Sequence, residues 1–374
     1  MSEKIIDMRS DTVTLPTDSM RRAMAEAEVG DDVHQEDPTI NRLQDMSAEM
    51  FGKEAAVLVA SGTQGNACAM LAHTHPGELA FCDANAHVSR YEGGGYAALA
   101  GVSLEKLNGN RGIIDSEMVE QAIMPYNEHL ADPTLIWVEN TSNQGGGTAT
   151  SVEVMRGLRE VADRYGLSIH VDGARIFNAA ASLGVSVADL AQYADTVQFC
   201  LSKGLGAPVG SLVVGDADLC TVVRKKRKML GGGWRQAGVF AAAGIVALTE
   251  IAPRLHEDHE NARRLAEGIA DIPGLLINPE AVETNLVFFG YDTKVVDPAR
   301  FVGELADRGV LIGGASEIVD PVRVVGELAD RGVMVGGIMK ATISRVCLHH
   351  QVSADDVETV LDAMREVVGE PVLV

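Results

Sequence analysis

The sequence predicts an α/β protein with a mainly parallel central sheet covered by helices, followed by a smaller C-terminal α/β domain. Three observations predict it. Between residues 50 and 215, short apolar and β-rich runs alternate with stretches of helical periodicity, as in parallel sheets buried on both faces. Beyond residue 250, long helical material leads into two further apolar runs. The composition, 46% hydrophobic and 22% charged over 374 residues, is that of a folded chain long enough for a large core. The boundary is expected near residue 250, with 1–250 forming an N-terminal segment and large domain and 251–374 the small domain.

In chain order, the expected strands of the large domain are Ala55–Ala60, Leu79–Cys82, Thr134–Val138, Ser168–Val171, Thr196–Leu201 and Ser211–Val214. Ser151–Tyr165 is a helix by its spacing, since Val152, Met155, Leu158, Val161 and Ala162 fall on one stripe. Ala237–Glu250 and Arg254–Ala270 read as long helices. Asn285–Phe289 and Thr342–Leu348 read as strands of the small domain. Ser353–Val368 is the last helix, with Ser353 as its cap and acids in its first turn. One segment is duplicated: Val296–Gly314 recurs as Val319–Gly337 with 15 of 19 positions identical. Each copy reads as a Pro-started helix, a Gly cap and a short strand. Two copies are too few for a solenoid.

Charge and cysteine content narrow the function. The 31 Lys and Arg stand against 53 Asp and Glu, a net charge of −22, which repels nucleic acid and anionic membranes. The longest uninterrupted apolar stretch, Ala237–Leu248, is short for a bilayer span, and the first residues hold no apolar signal core. The five cysteines are scattered and form no C-x-x-C pair, so a disulfide framework or cysteine zinc site is not expected. A cytoplasmic protein with a small-molecule substrate is the expectation.

In open parallel sheets, chemistry collects at the carboxyl ends of the strands. Ser168–Arg175 (SIHVDGAR) ends an expected strand on Asp172, and a carboxylate there is costly to bury without a cationic partner. Lys203 follows the next strand, on a turn constrained by Gly204, Gly206 and Pro208. An Asp and a Lys ending two strands of one sheet fit a pyridoxal phosphate site. The lysine would form the Schiff base, and the acid would keep the pyridine nitrogen protonated. Ser61–Asn66 (SGTQGN) is a small polar turn opening a helix, where backbone amides and the Thr63 hydroxyl suit a phosphate. The pairs His73/His75, His256/His259 and His349/His350 lack a metal-ligand constellation, and no metal is expected. Arg224–Lys228 (RKKRK) reads as a solvated helix face.

Six ordered segments resemble the pyridoxal-phosphate-dependent threonine aldolase and β-eliminating lyase family. They are MRSDTVTLP (8–16), GDDV…EDPT (30–39), SGTQGN (61–66), HVDGAR (170–175), LSKGLGAPVGS (201–211) and LGGGWRQAG (230–238). The resemblance implies the aspartate aminotransferase-type fold (fold type I), a homotetramer with active sites shared between subunits, and cleavage of L-threonine or L-allo-threonine to glycine and acetaldehyde. Carried over by position, Lys203 is the Schiff-base lysine and Asp172 the partner of the pyridine nitrogen. Gly62 and Thr63 match the phosphate turn, and His87 matches the histidine that stacks on the ring. Ser10, Arg175 and Arg345 match the groups holding the substrate carboxylate, and His129 a second histidine near the substrate hydroxyl. Lys228 and Arg235 match residues reaching a neighbouring subunit's phosphate. His87, His129 or a water could serve as the base. The sequence departs from the pattern at His34 (usually Tyr), Ser142 (usually His) and Trp234 (usually smaller). The alternatives are β-elimination or aryl-serine cleavage by the same chemistry, or a non-catalytic regulator on this fold.

Overall fold

The computed structural model describes residues 4–313, 316–318 and 341–369. It divides into two compact units: Leu15–Pro253, and the described residues of Met1–Thr14 with Arg254–Val374. Each is taken by itself.

The large unit is built on seven strands: β1 (Ala55–Val59), β2 (Leu79–Asp83), β3 (Ser103–Leu107), β4 (Pro133–Glu139), β5 (Ser168–Asp172), β6 (Thr196–Cys200) and β7 (Ser211–Gly215). Their order is β1-β7-β6-β5-β4-β2-β3. Strands β6 to β3 run parallel, whereas β7 is antiparallel to both its neighbours. β6 and β7 are buried at every position, as expected of strands covered on both faces, and they carry Thr196, Gln198 and Ser211 among their buried side chains. β3 was not expected from the sequence. Its SLEKL is largely exposed at the sheet edge, so it carries no apolar run.

Helix α1 (Gly62–His73) lies on β1, β6 and β7. A Cβ at Gly65 would stand 2.8 Å from Gln198 Cγ and 3.2 Å from Val213 Cγ2, so only glycine lets the helix approach so closely. Helix α2 (Val152–Tyr165) matches its expected range, with Ser151 as cap and Gly166 in the left-handed conformation ending it. Helix α3 (Ala217–Met229) carries the RKKRK run. The expectation of a solvated face fails at one position. Arg227 is buried, and it donates to Asp32 Oδ2 at 2.6 Å and to the Leu58 carbonyl at 2.7 Å. From Gly238 the chain stays helical to Ala270, and 56% of its most apolar window is buried inside the protein.

The smaller unit holds an antiparallel sheet, with β8 (Leu286–Tyr291) central, β9 (Ala341–Cys347) beside it, and the short Leu275–Leu276 and Ser316–Ile318 at the edges. Helices α4 (Leu255–Ala270), α5 (Pro298–Asp307) and α6 (Ala354–Gly369) belong to the same unit. The first copy of the duplicated segment forms α5 and the two-residue strand Val310–Leu311, as expected. The second copy lies outside the described residues. The N-terminal segment differs from the expectation that it belongs with the large domain. Ile6–Asp7 pairs in parallel with Val310–Leu311, and Met8 and Ile6 are buried in the core of this smaller unit.

Candidate active site

Three acids converge at the carboxyl ends of the parallel strands. Glu139 ends β4 and Asp172 ends β5, the two residues pairing directly across the ladder, while Glu92 follows in the β2–β3 connection. Asp172 is 2% exposed. Its Oδ2 accepts from Asn66 Nδ2 at 2.8 Å and its Oδ1 from the Ala174 amide at 3.2 Å. Glu139 accepts from the backbone amides of His87 at 2.5 Å and Asn143 at 2.7 Å. Burial, and then the Asp172 charge, push the Glu139 carboxyl up to about 7.

His87 stands over this group at the start of the short helix His87–Arg90. Its Nδ1 is 2.8 Å from Glu92 Oε1. The Glu92 hydrogen bond raises the imidazole above its ordinary range, against the opposing effect of burial, with the Asp172 charge reinforcing it. The Lys203 ammonium is near enough to oppose this. Glu92 is itself raised, by burial first. Ligand atoms of His87, Glu92 and Asp172 lie within 4.8 Å of one another.

Lys203 sits in the β6–β7 connection. The Gly206 amide donates to the Lys203 carbonyl at 2.8 Å, and the Leu201 amide to Gly210 at 3.0 Å. Arg175 is buried three residues beyond Asp172, at the start of the helix Ile176–Leu183. At the head of α1, Ser61 caps the Gln64 amide at 3.2 Å, and Thr63 is exposed beside it. A Cβ at Gly62 would lie 2.9 Å from Cys200 Sγ, so this turn is pressed against the end of β6.

The structure therefore brings together Asp172, Lys203 and His87, with Gly62 and Thr63 on the helix abutting β6. It keeps His129 apart from this cluster within the single chain. The ring is 81% exposed, and the residue's polar contacts are with its neighbours Asn127 and Glu128. Lys228 and Arg235 are also exposed, and Arg235 pairs with Asp31 at 2.8 Å. Ser10 and Arg345 belong to the smaller unit, where Ser10 caps the turn Asp11–Val13 and Arg345 donates to the Arg9 carbonyl at 3.3 Å. Of the three departures from the family pattern, Trp234 packs under the Arg227 guanidinium at 5.8 Å, and Ser142 holds the Gly145 amide at 3.1 Å. His34 ends the short turn Asp32–His34. Asn66, Glu92 and Glu139 were not singled out from sequence. Asn66 lies in the quoted run SGTQGN and Glu92 five residues beyond His87, but nothing local ties them to Asp172.

Residues 7–291 match the beta-eliminating lyase family. The chain belongs to that family. It is 40% identical to low-specificity L-threonine aldolase 1 of Arabidopsis thaliana over 377 residues, covering 98% of this chain and 97% of that one. It is 50% identical to an uncharacterised Caenorhabditis elegans protein over 267 residues, 71% of this chain but only 65% of that protein's length. Among solved structures, the threonine aldolase of Leishmania major superposes with a TM-score of 0.78 at 17% identity, covering 97% of this chain and all of that one. The fold of this lyase is accordingly the aspartate aminotransferase type, with a mostly parallel sheet.

Proposed function

We propose that this lyase cleaves L-threonine and L-allo-threonine to glycine and acetaldehyde, using pyridoxal 5'-phosphate. The observation that carries the reading is the meeting of buried Asp172, Lys203 and the Glu92-bound His87 at the strand ends of a chain 40% identical to a threonine aldolase.

The donor set fits the cofactor. The buried Asp172 carboxylate accepts from a side-chain amide and a backbone amide, both neutral donors, so a protonated ring nitrogen would offset its charge. The α1 turn, held by the Ser61 cap against β6, offers amides to a phosphate. When bound, the cofactor supplies an electron sink for the pair released from the Cα–Cβ bond. Lys203 would hold it, Asp172 would face its ring nitrogen, and Gly62 and Thr63 its phosphate.

The chain's own groups account for the remaining steps. The planar Arg175 guanidinium suits a carboxylate, in a two-point hold that fixes the amino acid's orientation. His87 gives its Nδ1 hydrogen to Glu92, which leaves Nε2 as the basic nitrogen. Nε2 takes the β-hydroxyl proton as the Cα–Cβ bond breaks, so the C–O bond becomes the aldehyde carbonyl. Glu92 strengthens that nitrogen as a base, as a carboxylate does for the histidine of a catalytic triad. With its Nδ1 committed to Glu92 and its ring near Asp172 and Lys203, His87 is the base we propose.

The assembly proposed is a homotetramer with shared sites, acting in the cytoplasm. Tyr91, Leu99, Tyr126 and Phe240 are large apolar residues exposed on the single chain, which supports self-association. All five cysteines are buried thiols, in keeping with a reducing compartment. Three tests apply. Threonine should yield acetaldehyde, and borohydride should fix a pyridoxyl group on Lys203; labelling at another lysine refutes the assignment. Asp172→Asn should keep part of the cofactor while losing about 3 kcal/mol or more of transition-state stabilisation. Mixing inactive Lys203→Ala and Arg235→Ala chains should restore activity if sites are shared, and exchange without recovery refutes sharing.

A further inference from the structure

We infer that Asn66 is a positioning residue whose single amide sets the orientation of both Asp172 and Glu92. The inference rests on the cofactor reading above. Asn66 lies in α1, 2% exposed. Its Nδ2 donates to Asp172 Oδ2 at 2.8 Å and to Glu92 Oε1 at 2.6 Å. An amide nitrogen has two hydrogens, and both are used. Turning the amide over would aim its oxygen at two carboxylates.

The other end of the amide is fixed as well. Its Oδ1 lies 3.4 Å from His170 Nε2, so that nitrogen carries the hydrogen. His170 is fully buried and held well below its ordinary range by desolvation, so it is neutral and has one hydrogen to give. His170 Nδ1 must then accept, and its partner at 2.7 Å is the Thr196 hydroxyl. That hydroxyl has a single proton, so His73 Nε2, also 2.7 Å away, must donate to its oxygen. Burial lowers His73 too, and one neutral tautomer satisfies the contact. The Trp137 ring packs on His170 at 4.3 Å. Every donor from His73 to the two carboxylates thus points the same way, and no member can reverse alone.

This chain accounts for polar groups under the sheet that the reaction does not touch. Asp172 and Glu92 are like charges whose oxygens come within 4.8 Å of one another, and the amide's positive edge lies between them. Asp172 would face the ring nitrogen and Glu92 holds His87, so one side chain aligns the cofactor partner with the base.

The test compares wild type, Asn66→Ala, Thr196→Val and Glu92→Gln as holoenzymes. It measures the cofactor dissociation constant, the pH dependence of the bound cofactor's visible absorbance, kcat and KM for threonine, and the unfolding midpoint. Asn66→Ala should weaken cofactor binding about ten-fold, the equivalent of about 1.4 kcal/mol, shift the absorbance profile and lower kcat with KM little changed. Thr196→Val, which frees the His170 tautomer without touching either carboxylate, should shift the same profile by less; it carries the test if Asn66→Ala does not fold. Wild-type cofactor affinity and absorbance profile in both variants, beside altered values in Glu92→Gln, overturn the proposal alone. A wild type that takes up no pyridoxal phosphate removes the cofactor reading, and this one with it.

Discussion

Replacing Arg227 with methionine tests how the cationic segment is held. Arg227 and Asp32 are 3% and 1% exposed in their side chains, with Nη2 and Oδ2 2.6 Å apart. Removing one member of such a pair costs about 3–5 kcal/mol; here Asp32 keeps a longer contact with Arg224, at 3.8 Å, so the loss falls toward the lower figure. The guanidinium also lies over Trp234 at 5.8 Å, a contact of about 0.5–1 kcal/mol. A total near 4 kcal/mol corresponds to a fall in the unfolding midpoint of roughly 8–16 °C for a unit of this size. Thermal and urea unfolding of Arg227→Met and of Arg227→Met/Asp32→Asn measure it, and the double variant should regain part of the loss because no buried carboxylate is left with only a distant partner. The consequence would reach the proposed phosphate contact Arg235, because the Asp32 amide also donates to the Arg235 carbonyl at 3.1 Å and Asp31 pairs with the Arg235 side chain. The motifs GDDV and LGGGWRQAG are thus two halves of one clasp, and opening it should lower cofactor affinity as well. A loss below about 1 kcal/mol, or a double variant no better than the single, would refute the buried-pair argument.

Glu92→Gln replaces the carboxylate whose hydrogen bond, and to a lesser degree charge, raises the His87 imidazole with a neutral and weaker acceptor; the acid limb of the kcat/KM profile, expected above pH 6.5, should move to lower pH. Gly65→Ala puts a methyl 2.8 Å from Gln198 Cγ and should cost about 1–3 kcal/mol by overpacking, read from urea midpoints. Asp258 is buried in α4 and pushed up to about 7, by desolvation first and then by Glu257 and Asp11. Its folded value lies above the unfolded one, so its contribution is fully present at low pH and lost as pH rises through about 7. Asp258→Asn should therefore raise the unfolding midpoint at pH 8 and have little effect at pH 4; equal effects at both would count against the burial argument.

The buried strands and the chemistry at their ends were legible in the sequence for one physical reason. A strand covered on both faces must be mostly apolar, and a charged residue at or just past its end stands out. Asp172 and Lys203 announce themselves in this way. β3 does not, because its side chains are mostly wet. The antiparallel sense of β7 has no local signature, since its apolar run reads the same in either direction. The two-residue strand Ile6–Asp7 is too short for any period, and its partner lies at Val310–Leu311, so the chain start was assigned to the wrong unit. Asn66 and Glu139 were silent because their meaning is in distant partners, Asp172 and His87, 106 and 52 residues away in sequence.

The direction of β7 governs how the lysine's surroundings come into being as the chain folds. Cys200 and Ser211 face each other across a hairpin, whereas the other neighbour of β7 is brought in from Ala55–Val59. Closing so short a loop costs little chain entropy, and its contacts can form before the remote strands arrive. Parallel strands need a long crossover between them, so a parallel β7 would have left Lys203 on a segment ordered only once the whole sheet had assembled. Instead the bond between the Leu201 amide and the Gly210 carbonyl ties off the loop locally, and the lysine's setting belongs to a piece of structure that needs only its own neighbours to form.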